Sequence, residues 1–155
     1  AQVFFGQLEA ILALAHQRQP FACGFAQRLA AQQQASALAL AATDPANPYG
    51  GTLPWPGTAG RPARSASSLV VLRAGKLLAW FDRRGHHLVT FPDTLADTSW
   101  ARALMSLVPS GRSRSIEVRK VDGEPLTGPS APEGIVGILR SAGFADGYRG
   151  MTYRG

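Results

Sequence analysis

The sequence predicts an α+β fold: a small, partly closed, mostly antiparallel β-barrel-like sheet braced by two helices, with a helical segment ahead of it. Three observations lead there. From residue 68 onward, short apolar runs separated by turn signals give the order βββ-α-β-α-β. Two of the intervening stretches repeat apolar residues at helical spacing between cap residues. An apolar content of 45% against 17% charged residues is enough to build a core and is unlike a disordered chain.

Taken in order, Phe4, Leu8, Ile11, Leu12 and Ala15 fall on one face of an amphipathic helix that Pro20 ends. Phe25 and Leu29, with the alanines and glutamines after them, suggest a second short helix. Leu38, Leu40 and Ala42 alternate like a short strand. We group residues 1–43 as one helical segment, too small to bury its own apolar faces. With the start "AQVFFGQ", which lacks an initiator Met, this fits a piece of a longer protein.

Residues 44–67 are different. "DPANPYGGTLPWP" (44–56) places four prolines, two glycines, Tyr49 and Trp55 in one run. The prolines exclude a helix or central strand, and the aromatics have no place in a flexible tether. We expect an ordered, docked strap, with Tyr49 and Trp55 pinning it to the bodies on either side.

The β-rich module spans 68–155. "SLVVL" (68–72) and "KLLAWF" (76–81) flank a tight turn at Gly75, and "HHLVTF" (86–91) completes a meander after the turn "DRRG". Asp93 or Thr94 is placed to cap a helix with Leu95, Trp100, Ala103, Leu104 and Leu107 facing inward. Residues 114–126 read as a strand with Ile116, Val118 and Val121 inward and an Asp122–Gly123 turn. A last helix begins near Ser130, buries Ile135, Ile138 and Leu139, and ends at Gly143; "YRGMTYR" (148–154) is the final strand.

The formal charge is +6, and all of it lies after residue 60, where 14 basic residues face 8 acidic ones. Fourteen of the sixteen basic residues are Arg, which suits forked contact with phosphate and also fits a codon bias toward Arg. No apolar run is long enough for a transmembrane helix, so no membrane partner is expected. A lone Cys23 excludes an internal disulfide and suits a cytoplasmic setting. His86 and His87 are adjacent in a strand and face opposite ways; with His16 and Cys23 isolated, no metal site is expected.

Several separated pieces resemble the C-terminus of the large helicase-related (Lhr) family of bacterial superfamily-2 helicases. They are "AATDPANPYGGTLPWP" (41–56), "GRPARSASSLVVLRAGKLLAWFDRRGHHLVTF" (60–91), "VRKVDGEPL" (118–126) and "LRSAGFADGYRGMTYRG" (139–155), with "AQVFF" at the start. The resemblance implies that residues 1–43 are a remnant of a winged-helix module and 68–155 a β-barrel-like terminal module. It implies a cytoplasmic, ATP-dependent helicase of bacterial DNA repair. Such an enzyme translocates 3′ to 5′ on single-stranded DNA and unwinds DNA or RNA:DNA hybrids. The motor is not in this chain: "AGK" (74–76) is followed by Leu77 and lacks the remaining phosphate-loop residues. No cofactor is therefore expected here, ATP and Mg belonging to the motor domains. Expected partners are single-stranded DNA or an RNA:DNA hybrid, upstream winged-helix and helicase domains, and a second copy in a homo-oligomer.

For nucleic-acid contact the candidates are Arg61, Arg64, Arg83, Arg84, Arg112, Arg114, Arg149 and Arg154, grouped in loops and the final segment. Tyr49, Trp55, Trp80 and Tyr148 are stacking candidates, with Trp80 in mid-strand read as core and Trp55 as structural. The resemblance also admits an enzyme reading, a DNA glycosylase site shared with upstream winged-helix modules, which needs a carboxylate. Asp82 and Asp122 read as turn residues, Glu124 follows the turn, and Asp44 and Asp146 are weak catalytic candidates. A third reading is a structural module for interdomain or oligomer contacts.

Overall fold

The computed structural model describes residues 36–155, so the helices expected within residues 1–35 lie outside the described residues. The elements are β1 (Leu38–Ala41), β2 (Ser68–Arg73), β3 (Lys76–Asp82), β4 (His87–Thr90), α1 (Ser99–Met105), β5 (Ser115–Val118), β6 (Lys120–Val121), β7 (Glu124–Pro125), α2 (Glu133–Ala142), β8 (Ala145–Asp146) and β9 (Met151–Arg154). A six-stranded sheet runs β1-β2-β3-β4-β6-β7, and β5-β9-β8 form a smaller one. Pairing is antiparallel except between β4 and β6, where His87 lies beside Lys120 and Leu88 beside Val121. The α+β class, mostly antiparallel with two helices, is as expected. The large sheet is not closed into a full barrel, and β1 and β7 are its edges. β7 is two residues long and carries Pro125, which has no N–H to extend the ladder.

Two turns follow directly from the sequence. Ala74–Gly75 and Asp122–Gly123 both take positive φ at both positions (50° and 81°, 52° and 98°), the twist that suits two-residue hairpins. The meander is built as read, with one addition. The β2–β3 register shifts between Val71 and Leu72, so that Val71 faces Ala79 while Leu72 faces Leu77. The irregularity accommodates Leu78 and restores alternation beyond it.

The sheet is covered on both sides. On one face Leu69, Val71, Ala79, Phe81 and Leu88 pack with Trp100 and Leu104 of α1, Leu139 of α2, and Ile116, Val118 and Met151 of the smaller sheet. On the other, Val70, Leu77, Trp80, Val89 and Phe91 form a second cluster, with Tyr49 and Trp55 of the strap packed against it. Trp80 is 5% exposed, and its indole N–H donates to Ala63 O at 3.0 Å, so the expected core tryptophan is core on the strap side.

The strap is ordered, and Asn47 is the hub of its first turn. The buried amide donates from Nδ2 to Ala42 O (2.9 Å) and Tyr49 O (3.2 Å), and Oδ1 accepts the Tyr49 N–H (3.1 Å). Arg64 reaches back from the far end of the strap, donating to Asn47 O at 2.9 Å. The Tyr49 hydroxyl donates to Gly75 O at 2.9 Å. Trp55 lies against Gly50 so closely that a β-carbon there would come within 2.4 Å of the indole. Tyr49 and Trp55 are half-buried, and both pack on this sheet face among the described residues. Ser36–Gly155 is one compact unit, so β1, grouped above with residues 1–43, belongs to the sheet.

α1 begins later than the cap residues suggest, at Ser99 rather than after Thr94. Thr94 is buried and serves the preceding turn: its hydroxyl donates to Leu78 O and accepts the Phe91 N–H. Asp97 makes the turn into the helix, its Oδ1 accepting the Ser99 N–H at 3.1 Å. Leu95, expected inside, is 61% exposed because it precedes the helix. α2 matches closely, with Ile135 and Leu139 buried, Ile138 half-buried and Gly143 closing it at φ 103°.

Candidate nucleic-acid interface

The β3–β4 turn, "DRRG", is organised by Asp82. Its carboxylate accepts the Ser67 hydroxyl at 2.9 Å and the N–H groups of Arg84 (3.2 Å) and Gly85 (3.0 Å). Burial alone would raise this carboxyl, but those hydrogen bonds and the neighbouring His87 outweigh it and hold it below its ordinary value. Asp82 is therefore a turn organiser, as the sequence suggested. Arg83 folds back on the strap, donating to Ala66 O (2.9 Å) and Ser67 O (3.2 Å). Arg84 projects outward, and the two arginines line a groove of about 450 Å³ with Ser65, Ala66 and Ser67.

Arg83 also reaches the smaller sheet. With His86 it meets Ser113, Ser115 and Glu117 around a pocket of about 100 Å³. His86 is not in β4 but just before it, at φ 52°, its Nδ1 3.2 Å from Glu117 O. His87 begins the strand, and its Nε2 accepts the Gly123 N–H at 3.0 Å. Glu117 and Arg119 form a fork with both N–O distances 2.8 Å. The Arg119 hydrogen bond is the main cause holding Glu117 below its ordinary value, and the charges of His86 and Arg149 add to it. Sequence reasoning passed over this pair. Its i, i+2 spacing at a strand end, which puts both side chains on one face, was the available signal.

In β5-β9-β8, Ser115 lies opposite Arg154, Glu117 opposite Thr152, and Ala145 opposite Thr152. Alternation puts these polar or small residues on the outer face, while Ile116, Val118 and Met151 enter the core. Arg114 precedes this sheet, Arg154 lies on it, and Arg149 sits in the loop at its other end; all three are exposed. Beside Arg149, Tyr148 is 97% exposed and outside the strand, which starts only at Met151.

The remaining predicted residues lie apart. Arg61 is exposed at the end of the strap, and Arg64 is turned inward onto strap carbonyls. Arg112 donates to Ala39 O of β1 at 3.0 Å. Asp44 accepts the Ala46 N–H at 2.8 Å as a turn opener, and Asp146 is forked to Arg140 on the surface (2.9 and 3.1 Å). Asp122 accepts the Thr90 N–H at 2.9 Å, and Glu124 is exposed. These five carboxylates, Asp82 included, do not converge on one pocket. A wider cleft of about 920 Å³ near both helices has mixed charge that is largely self-paired, Arg73 with Asp97 and Lys76 with Asp93. Among the described residues no group of three His, Cys, Asp or Glu side chains is placed to hold a metal.

No protein-family model matches the chain. Two curated relatives do. A Mycolicibacterium smegmatis protein described as "Lhr helicase/ probable uracil glycosylase" is 40% identical over 124 residues, covering 76% of this chain and 8% of that protein. An Escherichia coli protein described as "Lhr helicase/uracil glycosylase" is 29% identical over 118 residues, 75% of this chain and 8% of that protein. The chain thus spans about 8% of the length of the curated relatives it matches.

Proposed function

Because the chain belongs to the Lhr helicase family, as a C-terminal module, we propose that it is the accessory nucleic-acid-binding and docking module of such a helicase, with no ATPase activity of its own. The observation that carries this reading is the state of the arginines. Arg61, Arg84, Arg114, Arg149 and Arg154 are exposed, and their guanidinium groups make no hydrogen bond or ion pair with the described residues. Surface cations left unpaired in this number suit contact with the phosphates of a strand delivered by the motor domains. The partner is single-stranded DNA or an RNA:DNA hybrid, ATP and Mg stay with the motor, and the strap-covered body docks against upstream domains of the same protein.

The test is anisotropy of a labelled oligothymidylate titrated with the 155-residue chain across a salt series. Binding should weaken steeply with salt, by about 0.7 log units per log unit of salt for each phosphate contacted. Arg84→Ala, Arg114→Ala or Arg149→Ala should each lower that slope by the share of one contact. Absence of binding at low salt, or a slope untouched by Arg83→Ala with Arg84→Ala, would count against the proposal.

A glycosylase contribution is the second reading, favoured by the names both relatives carry. Incubating a longer chain, upstream modules included, with a uracil-containing oligonucleotide tests it. Abasic product supports a shared site, and none removes it.

A further inference from the structure

We infer that the β5-β9-β8 sheet is a platform for single-stranded nucleic acid, and that Tyr148 is the side chain on which a base stacks. This rests on the nucleic-acid reading above and adds the recognition element to it. Of the four aromatics with stacking potential, Trp80 is buried and hydrogen-bonded inward, and Tyr49 and Trp55 are packed on the strap-side cluster. Tyr148 alone stands clear, at 97% exposed.

A tyrosine this exposed normally lies on a mobile segment, but its loop is tightly built. Asp146 pairs with Met151, leaving four residues to turn, and the Gly147 N–H donates to Gly150 O at 2.7 Å. Gly150 is buried so closely beneath β5 that a β-carbon would lie 2.0 Å from Val118 O. The loop is therefore clamped at its base, and the ring is held out at little further entropic cost on binding. The charges match the occupant. Arg149 follows Tyr148 in the chain, and Arg154 and Arg114 stand at the far end of the same sheet. Thr152 and Ser115 on its outer face are hydroxyl donors for phosphate or sugar oxygens, and the Glu117 carboxylate opposite Thr152 is neutralised by its fork to Arg119. An exposed aromatic at one end of a sheet, with arginines at both ends, fits a strand whose bases stack and whose backbone is tracked by cations.

The experiment compares the 155-residue chain with its Tyr148→Ala, Tyr148→Phe and Tyr148→Trp variants on oligothymidylate and on an oligonucleotide of the same length made of abasic sites. Loss of one stacked base predicts about 5- to 150-fold weaker binding of oligothymidylate by Tyr148→Ala. Tyr148→Phe should bind like the parent chain, and Tyr148→Trp should bind at least as tightly with its fluorescence quenched. On abasic sites, parent chain and Tyr148→Ala should bind alike. If Tyr148→Ala binds oligothymidylate as tightly as the parent, stacking is overturned while the phosphate reading stands, and the tyrosine faces a protein instead. If the parent chain binds neither oligonucleotide at low salt, both readings fall together. The ring makes no packing contact to lose, so thermal unfolding should be unchanged in all three variants.

Discussion

Replacing Asn47 with Ala should detach the first turn of the strap. The side chain is buried and makes three hydrogen bonds, to Ala42 O, to Tyr49 O and from the Tyr49 N–H. Each is worth about 1 kcal/mol net, and groups left unpaired away from water cost more than a lost bond alone. Tyr49 O has a second, longer bond from Arg64 (3.4 Å), which softens the loss there. We therefore expect a total of about 2–4 kcal/mol, read as a urea midpoint lower by about 1–2 M. Trp55 within the strap and Trp80 beneath it report its release by fluorescence. Asn47→Asp sharpens the test. The carboxylate keeps the acceptor for the Tyr49 N–H but sets negative charge against the carbonyls of Ala42 and Tyr49. It should destabilise at neutral pH and recover in part when acidified enough to protonate. A midpoint shift below about 0.3 M for Asn47→Ala, or an Asn47→Asp protein as stable as its parent at neutral pH, would refute the idea that this amide holds the strap.

Three further outcomes follow from the same geometry. Gly150→Ala drives a β-carbon into the Val118 carbonyl and should destabilise by about 3 kcal/mol or more, whereas Gly57→Ala meets open space and should stay within about 0.5 kcal/mol. Burial lowers the His87 pKa against the opposing pull of Asp122 and Asp82, with Lys120 reinforcing it, and Nε2 must stay unprotonated to accept the Gly123 N–H. The unfolded chain then takes up the proton first as pH falls through about 6.5. This contribution is complete above that pH and is lost as pH falls through the lower folded value. Urea midpoints across that range should show a slope that His87→Gln removes. Trp100→Ala, which empties a fully buried site and orphans Thr94 O, should cost about 3–5 kcal/mol by thermal melting.

Much of the module could be read from local pattern. The meander, the Asp122–Gly123 turn and the last helix with its Gly143 cap each rest on residues within a few positions of one another. What escaped is long-range. β4 pairs with β6 in parallel through two residues each, and nothing near Lys120–Val121 points to His87. One signal was present and not used: "SLVVL" and "LLAWF" are continuous apolar runs rather than alternating ones, the pattern of strands buried on both faces. The second cover is the strap. Thr94 misled because a hydroxyl near a helix start suits either a cap or a turn, and the turn at Phe91 took it. At the interface, exposure decided what sequence could not. Arg64 and Arg84 read alike in the chain, yet one faces strap carbonyls and the other solvent.

The strap is gripped mostly through its main chain. Arg64, Asn47 and the Trp80 indole all bond to carbonyls, which every residue type presents alike. The segment is thereby relieved of most constraint on identity: Pro45, Ala46, Thr52 and Leu53 face solvent and are open to drift. The grips, the Gly50–Trp55 contact and the close approach of Gly60 to Val89 resist change. A mutational scan should find a few intolerant sites scattered among permissive neighbours, with no gradient along the chain. A helix laid across the same sheet would instead have tied one position in every three or four to the core.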